Sequence, residues 1–377
     1  MNALLEDTLA HLRVLVGFDT RNPPRAIGSE GLFDYLRAGL PGFECTRNDH
    51  GAGAISLLAI RGKPRLLFNV HLDTVPDSPQ WSASPFELRI EGERAIGLGA
   101  CDIKGAAAAL LAVANACAGD LALLFTTDEE GRDPRCIAGF LRDFASLALR
   151  AEGRTGPAFE AVLVAEPTRC EAVLAHRGVH SVRVGFAGRA GHASNAQSPA
   201  DSAVHQALRW GNAALEFAQA QGHQRFGGLT GLRFNIGRIE GGIKPNMIAP
   251  AAELQLAMRP LPSMASERLL ESLRTLDPAP ARFEETFRGP ALPAGDIAQA
   301  ETRRLAARDL ADEWGLPIGN AVDFWTEAAL FSQAGYTAVV YGPGDIAQAH
   351  SADEWVALDQ LQTYAESIRR MVKAGLT

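Results

Sequence analysis

Residues 65–76 read "RLLFNVHLDTVP", an apolar run that carries straight into His71 and Asp73 before the chain turns at Pro76. Leu66, Leu67, Phe68 and Val70 predict a strand buried on both faces, the kind found in a parallel sheet. Alternate side chains of a strand share a face, so His71 and Asp73 can address one site. Taken alone, the pattern also suits a capped strand end with a satisfied histidine.

Similar runs recur. "AISLLAIRG" (54–62), "LALLFTTDEEG" (121–131), "AVLVAEPT" (161–168) and "TAVVYGPGD" (337–345) read as strands. "DIKGAAAALLAVANAC" (102–117), "CIAGFLRDFASLAL" (136–149), "ETRRLAARDLADEWG" (301–315) and "LDQLQTYAESIRRMVKAG" (358–375) read as helices, the last with Leu358, Leu361, Tyr364 and Ile368 on one stripe. The first 16 residues form another amphipathic pattern, with Leu5, Leu9, Leu12 and Val16 in line. This alternation predicts an α/β fold: a mostly parallel twisted sheet flanked by helices.

The texture changes in the middle of the chain. "GVHSVRVGFAG" (178–188), "GLRFNIGRIEGG" (231–242) and "AAELQLAMRPL" (251–261) alternate like strands with one open face, and "PADSAVHQALRWGNAALEFAQAQ" (199–221) is a long amphipathic helix. These predict a smaller α+β domain at 178–288 inserted into a catalytic domain made of 1–177 and 289–377. The Pro-rich "LDPAPARFEETFRGPALPAG" (276–295) reads as a turn or the return crossing.

Composition narrows the function. A chain of 377 residues exceeds one ordinary core, and 47% hydrophobic content suits compact domains. The formal charge of −8, with no dense Lys/Arg cluster, argues against nucleic acid as a partner. Glu6 and Asp7 sit where a signal peptide would be basic, and "GAAAALLAVANACAG" is too short to span a bilayer, so neither secretion nor a membrane is expected. Five scattered cysteines without a C-x-x-C pair fit a reducing cytoplasm.

The polar residues converge. In an open parallel sheet, ligands bind beyond the carboxyl ends of the strands. His71 and Asp73, Glu129 and Glu130, Glu166, and His350 all follow such ends, and Asp102 opens the helix that leads back from the same edge. Imidazoles and carboxylates without thiolates suit Zn²⁺, Co²⁺ or Mn²⁺ in a catalytic setting. There are enough ligands for two ions sharing a bridging carboxylate, about 3.5–4 Å apart, as in two-metal hydrolases. Neighbours on an extended chain point in opposite directions, so one of Glu129 and Glu130 can bind metal while the other serves as a base. "DEEG" by itself is more often a solvated turn.

Other chemistries find less support. "IGLGACD" lacks the third glycine of a dinucleotide loop, and there is no G-x-S-x-G elbow, Walker loop or H-E-x-x-H helix. A nucleophilic Cys101 stays open, although nothing marks His180 or His192 as its partner.

With "NVHLDTVP" (69–76), "GLGACDIKG" (97–105), "TTDEEG" (126–131), "VAEPT" (164–168) and "AHSADEW" (349–355) in this order, the chain resembles the M20 family of di-zinc aminoacylases and peptidases over nearly its full length. The resemblance implies His71, Asp102 and Glu166 on one or other metal, with Glu130 and His350 completing the pair. Asp102 would be the bridge, Asp73 would orient the His71 ring and Glu129 would be the general base. It further implies two Zn²⁺ per subunit, with Co²⁺ able to substitute, and a cis peptide bond after Asp102.

The same resemblance makes His192, in "GRAGHAS" (188–194), an oxyanion stabiliser that reaches a neighbouring subunit, and so implies a homodimer formed through the insert. Asn246 in "KPNMIAP" and Arg259 in "AMRPLP" match positions that hold a substrate carboxylate; Arg177 in "AHRG" and Thr326 in "FWTEA" are further candidates. Arg is chemically suited because its fork binds both carboxylate oxygens.

"FDTRNPPR", "VDFWTEAALF" and "YGPGDIAQAH" are most similar to the family branch that deacetylates Nα-acetyl-citrulline or Nα-acetyl-ornithine in arginine biosynthesis, with the citrulline form favoured. The implied substrate is thus a small N-acetylated amino acid. An ornithine side chain would want a carboxylate partner, and a neutral ureido group would want uncharged donors and acceptors. Glu327 suits either. A different amide substrate, such as a dipeptide or succinyl-diaminopimelate, and a non-catalytic metal-binding protein are the rival readings.

Overall fold

The structure is a computed structural model that describes residues 2–24, 27, 31–131, 134–150, 159–194 and 201–377, with the backbone alone at 144–150. Arg25 of "FDTRNPPR" and the first two residues of "PADSAVHQ" lie outside the described residues. The chain divides into two compact units: 1–174 with 305–319 and 326–377, and 175–304 with 320–325. The second unit thus runs beyond the expected 178–288, past the Pro-rich stretch and into the following helix.

The first unit opens with α1 (Ala3–Val16) and α2 (Leu32–Ala38), followed by β1 (Glu44–Asp49), β2 (Ile55–Arg61) and β3 (Leu66–His71). A short hairpin, β4 (Arg89–Glu91) and β5 (Arg94–Ile96), precedes α3 (Gly105–Ala116), β6 (Leu121–Thr126), α4 (Cys136–Arg150) and β7 (Ala161–Val164). The strands lie in the order β1-β2-β6-β3-β7, with β14 (Thr337–Val340) beyond β7. β6, β3, β7 and β14 are mutually parallel, while β2 and β1 pair antiparallel at one side. Every residue of β3, β6 and β7 is buried, as their unbroken apolar sequences require.

Small side chains set the helix packing. α3 is mostly alanine and, from Gly105 to Ala114, wholly buried, and it packs against both α1 and the final helix α9 (Leu358–Lys373). α1 is started by Asn2, whose side chain accepts from the Leu5 amide at 2.9 Å, and buries Leu5, Leu9, Leu12 and Val16. α9 buries Leu358, Leu361, Tyr364 and Ile368, and each such large apolar side chain contributes roughly 2 kcal/mol.

The second unit is a four-stranded antiparallel sheet in the order β11-β12-β8-β13, formed by β8 (Val179–Ala187), β11 (Arg233–Gly241), β12 (Ala251–Arg259) and β13 (Arg282–Gly289). A two-residue-per-strand hairpin, β9 (Arg225–Phe226) and β10 (Leu229–Thr230), lies between α5 (Ala203–Ala220) and β11. One face of the sheet, with Val182, Val184, Leu254, Leu256 and Met258, packs with Ala207 and Trp210 of α5 and with Leu270 and Leu273 of α6 (Ser266–Arg274). β13 corrects the reading of 276–295 as a turn or crossing: flanking prolines hid a strand whose "RFEETFR" alternation is mostly polar because it lies at a sheet edge.

α7 (Ile297–Glu313) straddles the division at 304/305, and α8 (Ala328–Gln333) precedes β14. β15 (Trp355–Ala357) then pairs with β5. Among the described residues no helix is long and apolar enough to cross a membrane.

Candidate metal centre

Parallel order brings the carboxyl ends of β3, β6, β7 and β14 to one edge of the first unit. His71 is the last residue of β3, Glu129 and Glu130 follow β6 by three and four residues, and Glu166 follows β7 by two. Asp102 lies in the tight segment 100–104 before α3, where the Asp102–Ile103 peptide bond is cis. Gly99 starts that segment with φ +78, and a Cβ there would stand 2.7 Å from Thr74 Cγ2, so the turn requires glycine. His350 follows the loop after β14 with φ +57, an uncommon conformation for a non-glycine residue.

Two ligand groups share one carboxylate. Asp102 Oδ1 lies 3.2 Å from His71 Nε2, which is 4.0 Å from Glu166 Oε1. Asp102 Oδ2 lies 3.2 Å from His350 Nε2, which is 2.9 Å from Glu130 Oε1. Within each group, His71/Asp102/Glu166 and Asp102/Glu130/His350, the candidate ligand atoms lie within 4.8 Å of one another. Asp102 therefore turns one oxygen to each group, the disposition of a bridging ligand. Glu129 belongs to neither.

The electrostatics call for positive charge. Burial and neighbouring carboxylates raise Glu129 and Glu166 well above the ordinary range, and burial raises Glu130 as well. Burial alone would lower the His71 imidazole, but Asp102, Asp73 and Glu166 outweigh it and raise it well above its usual value. Hydrogen bonds that His350 donates to Asp102 and Glu130 lift its imidazole to about 10. Asp102 is pushed up by burial, yet its contacts with His350 and His71 hold it below the carboxylate range. Asp102 Oδ1 and Glu166 Oε1 are buried with the His71 imidazole at 3.2 and 4.0 Å, but neither is met by a well-aligned hydrogen-bond donor among the described residues. Orphaned carboxylate oxygens are costly, so this nitrogen and oxygen set fits divalent cations better than it fits a closed hydrogen-bond network.

Asp73 does more than the sequence indicates. Its main-chain carbonyl lies 3.0 Å from His71 Nδ1, with its Oδ1 at 3.5 Å from the same nitrogen. Its carboxylate accepts from the Glu129 amide at 3.2 Å, the Glu130 amide at 3.0 Å and Asn22 Nδ2 at 2.9 Å. Asp73 thus fixes the ring of His71 and also the loop that carries Glu129 and Glu130. Sequence reasoning missed Asn22, and backbone donors leave no sequence signal.

Arg177 is wholly buried in the second unit, and its guanidinium donates to Asp323, to the Gly231 carbonyl and, at 2.8 Å, to the Thr230 carbonyl. That fork is spent on holding its own unit together. Thr326 is also wholly buried, its hydroxyl accepting from the Ala328 amide at 3.2 Å as a helix start. Glu327, 1% exposed, accepts from Thr126 Oγ1 at 3.0 Å, keeps Oε1 buried without a hydrogen-bond partner among the described residues, and is raised by burial to about 8. Cys101 is buried, and burial raises its thiol far above the range of a nucleophile.

Arg259 is partly buried at the end of β12, with Nη1 at 3.4 Å from the Asp323 carbonyl, and Asn246 is exposed. His192 is exposed on the second unit, with Nδ1 at 2.6 Å from Ser194 Oγ and a backbone bridge to Met247.

The model of peptidase family M20/M25/M40 matches residues 67–374. An N-acetyl-L-citrulline deacetylase of Xanthomonas campestris pv. campestris is 65% identical over 377 residues, covering 100% of both chains. An acetylornithine deacetylase of Myxococcus xanthus is 31% identical, covering 95% of each chain. Among solved structures, an M20 family metallo-carboxypeptidase from Sulfolobus solfataricus superposes with a TM-score of 0.70 at 17% identity, covering 99% of each chain. A dinuclear metal-binding M20 peptidase from Bacillus subtilis superposes with a TM-score of 0.65 at 15% identity, covering 100% of this chain and 99% of its own.

Proposed function

Because the chain belongs to peptidase family M20/M25/M40, we propose that it hydrolyses the acetyl amide of N-acetyl-L-citrulline to acetate and L-citrulline. The carrying observation is Asp102, with one oxygen turned to each of two ligand groups beside a glutamate that belongs to neither. The substrate follows from the 65% identity, along its whole length, to a deacetylase of that name. His71, Asp102 and Glu166 would hold one cation and Asp102, Glu130 and His350 the other, as two Zn²⁺ for which Co²⁺ can substitute. Such ions would supply Lewis acidity for the acetyl carbonyl and lower the pKa of water from that of bulk to about 7.

The residues of the chain divide the remaining work. Glu129 takes a proton from the attacking water as its oxygen adds to the acetyl carbon. It returns that proton to the α-nitrogen as the amide C–N bond breaks, so one carboxyl serves as base and then acid. Asp73 keeps Glu129 aimed through the hydrogen bond to its backbone amide. Arg259 and Asn246 are assigned to the substrate carboxylate.

The oxyanion is assigned to the partner subunit's His192, a donor of a kind that contributes of order 3 kcal/mol when well placed. A homodimer through the second unit is part of this proposal. Its support is the exposed apolar stripe of Leu208 (56%) and Leu215 (50%) on α5 and Ile239 (54%) on the edge strand β11. Light scattering is expected to give twice the chain mass; a single-chain mass at working concentration would remove this part.

Release of free amine from N-acetylcitrulline, N-acetylornithine and N-succinyl-diaminopimelate tests the substrate. Acetylcitrulline is expected to exceed acetylornithine by at least about tenfold in kcat/KM, or about 1.4 kcal/mol in transition-state binding. A reversed order would assign the chain to acetylornithine, the substrate named for its relatives near 30% identity.

A further inference from the structure

Glu354 is 1% exposed and bears no place in either ligand group, yet its carboxylate gathers three backbone donors. Oε2 accepts from the Gly99 amide at 3.0 Å, and Oε1 accepts from the Cys101 and Asp102 amides, both at 2.9 Å. Its own carbonyl accepts from the Gly97 amide at 3.0 Å. The turn that presents Asp102 is thus wrapped around one side chain.

That side chain lies four residues after His350, on the segment that continues into β15 and its pairing with β5. One carboxylate therefore ties together the two stretches that carry Asp102 and His350. His71 and Glu166 stand at the ends of β3 and β7, fixed by the six-stranded sheet, and Glu130 is held by Asp73. Two of the three members of the Asp102/Glu130/His350 group depend on Glu354, but only one of the three in the His71/Asp102/Glu166 group does.

We propose that Glu354 is a positioning residue that sets the affinity of the Asp102/Glu130/His350 group for its cation, leaving the His71/Asp102/Glu166 group comparatively untouched. The proposal rests on the two-cation reading above. The chemistry demands a carboxylate: all three partners donate, and a glutamine amide would turn its NH₂ toward an N–H on one side or the other.

The test is titration of cation-free protein with Co²⁺ alone, followed by calorimetry and by the visible d–d absorption of each equivalent. Wild-type protein is expected to bind in two steps. Glu354→Gln is expected to keep the first step within about threefold, with its spectrum unchanged, and to weaken the second by at least about tenfold. Melting of the cation-free proteins checks that the fold is kept. If Glu354→Gln does not fold, Glu354→Asp takes its place: a carboxylate one methylene shorter cannot hold all three amides at these distances, and the same selective loss is expected. In a His350→Ala background, either substitution should have no further effect on cation binding.

Two unchanged steps, or two steps weakened equally, would overturn the proposal. A wild-type protein that binds fewer than two cations would overturn the two-cation reading itself, and this proposal with it.

Discussion

Glu129→Gln is expected to lower kcat by about a thousandfold, roughly 4 kcal/mol, while the protein keeps both cations and its affinity for substrate. The expectation comes from placement. Glu129 lies outside both ligand groups, so replacing its carboxylate should not unseat a cation. An amide of the same shape keeps the backbone contact with Asp73 but cannot take up a proton. Burial, followed by the charge of Glu130, raises the Glu129 carboxyl well above its ordinary range. Steady-state kinetics beside elemental analysis reads both halves. Turnover within tenfold of wild type would remove Glu129 as the base, and loss of a cation would move it into the ligand set.

The sequence carried the fold where apolar patterning was strong. Leu66–Val70, Leu121–Phe125 and Ala161–Val164 are buried as continuous runs, and their shared direction follows from the helices between them. It was weakest at the edges: β1 reads "ECTRND" and β13 "RFEETFRG", because an edge strand needs no apolar face. The strand-end rule gathered His71, Asp73, Glu129, Glu130, Glu166 and His350 at one edge with Asp102 at its rim, and the division of these into ligands and base came from the family resemblance.

What surrounds them was not legible. Glu354 and Asp73 act on backbone amides, which every residue owns, and Asn22 meets Asp73 from 51 positions away. Arg177 and Thr326 were drawn toward the substrate by residue type, and both are buried. Whether a guanidinium binds a ligand or its own fold depends on carbonyls such as those of Thr230 and Gly231, which no local pattern announces.

The largest effect is expected from the cations themselves. The site gathers Asp73, Asp102, Glu129, Glu130 and Glu166 around two imidazoles, and burial leaves Asp102 Oδ1 and Glu166 Oε1 without a well-aligned hydrogen-bond donor among the described residues. Such a cluster repels itself, and nothing in its own side chains supplies an electrophile for an acetyl carbonyl. Chelation should therefore abolish turnover, by more than about a thousandfold, and should also lower the melting temperature, since ligands that bind the folded state stabilise it. The direct measurement is acetate release from N-acetylcitrulline by protein stripped of cations and verified by elemental analysis, then reloaded with Zn²⁺ or Co²⁺. No turnover is expected when stripped, with recovery as the second equivalent binds. Undiminished hydrolysis by the stripped protein would contradict that expectation.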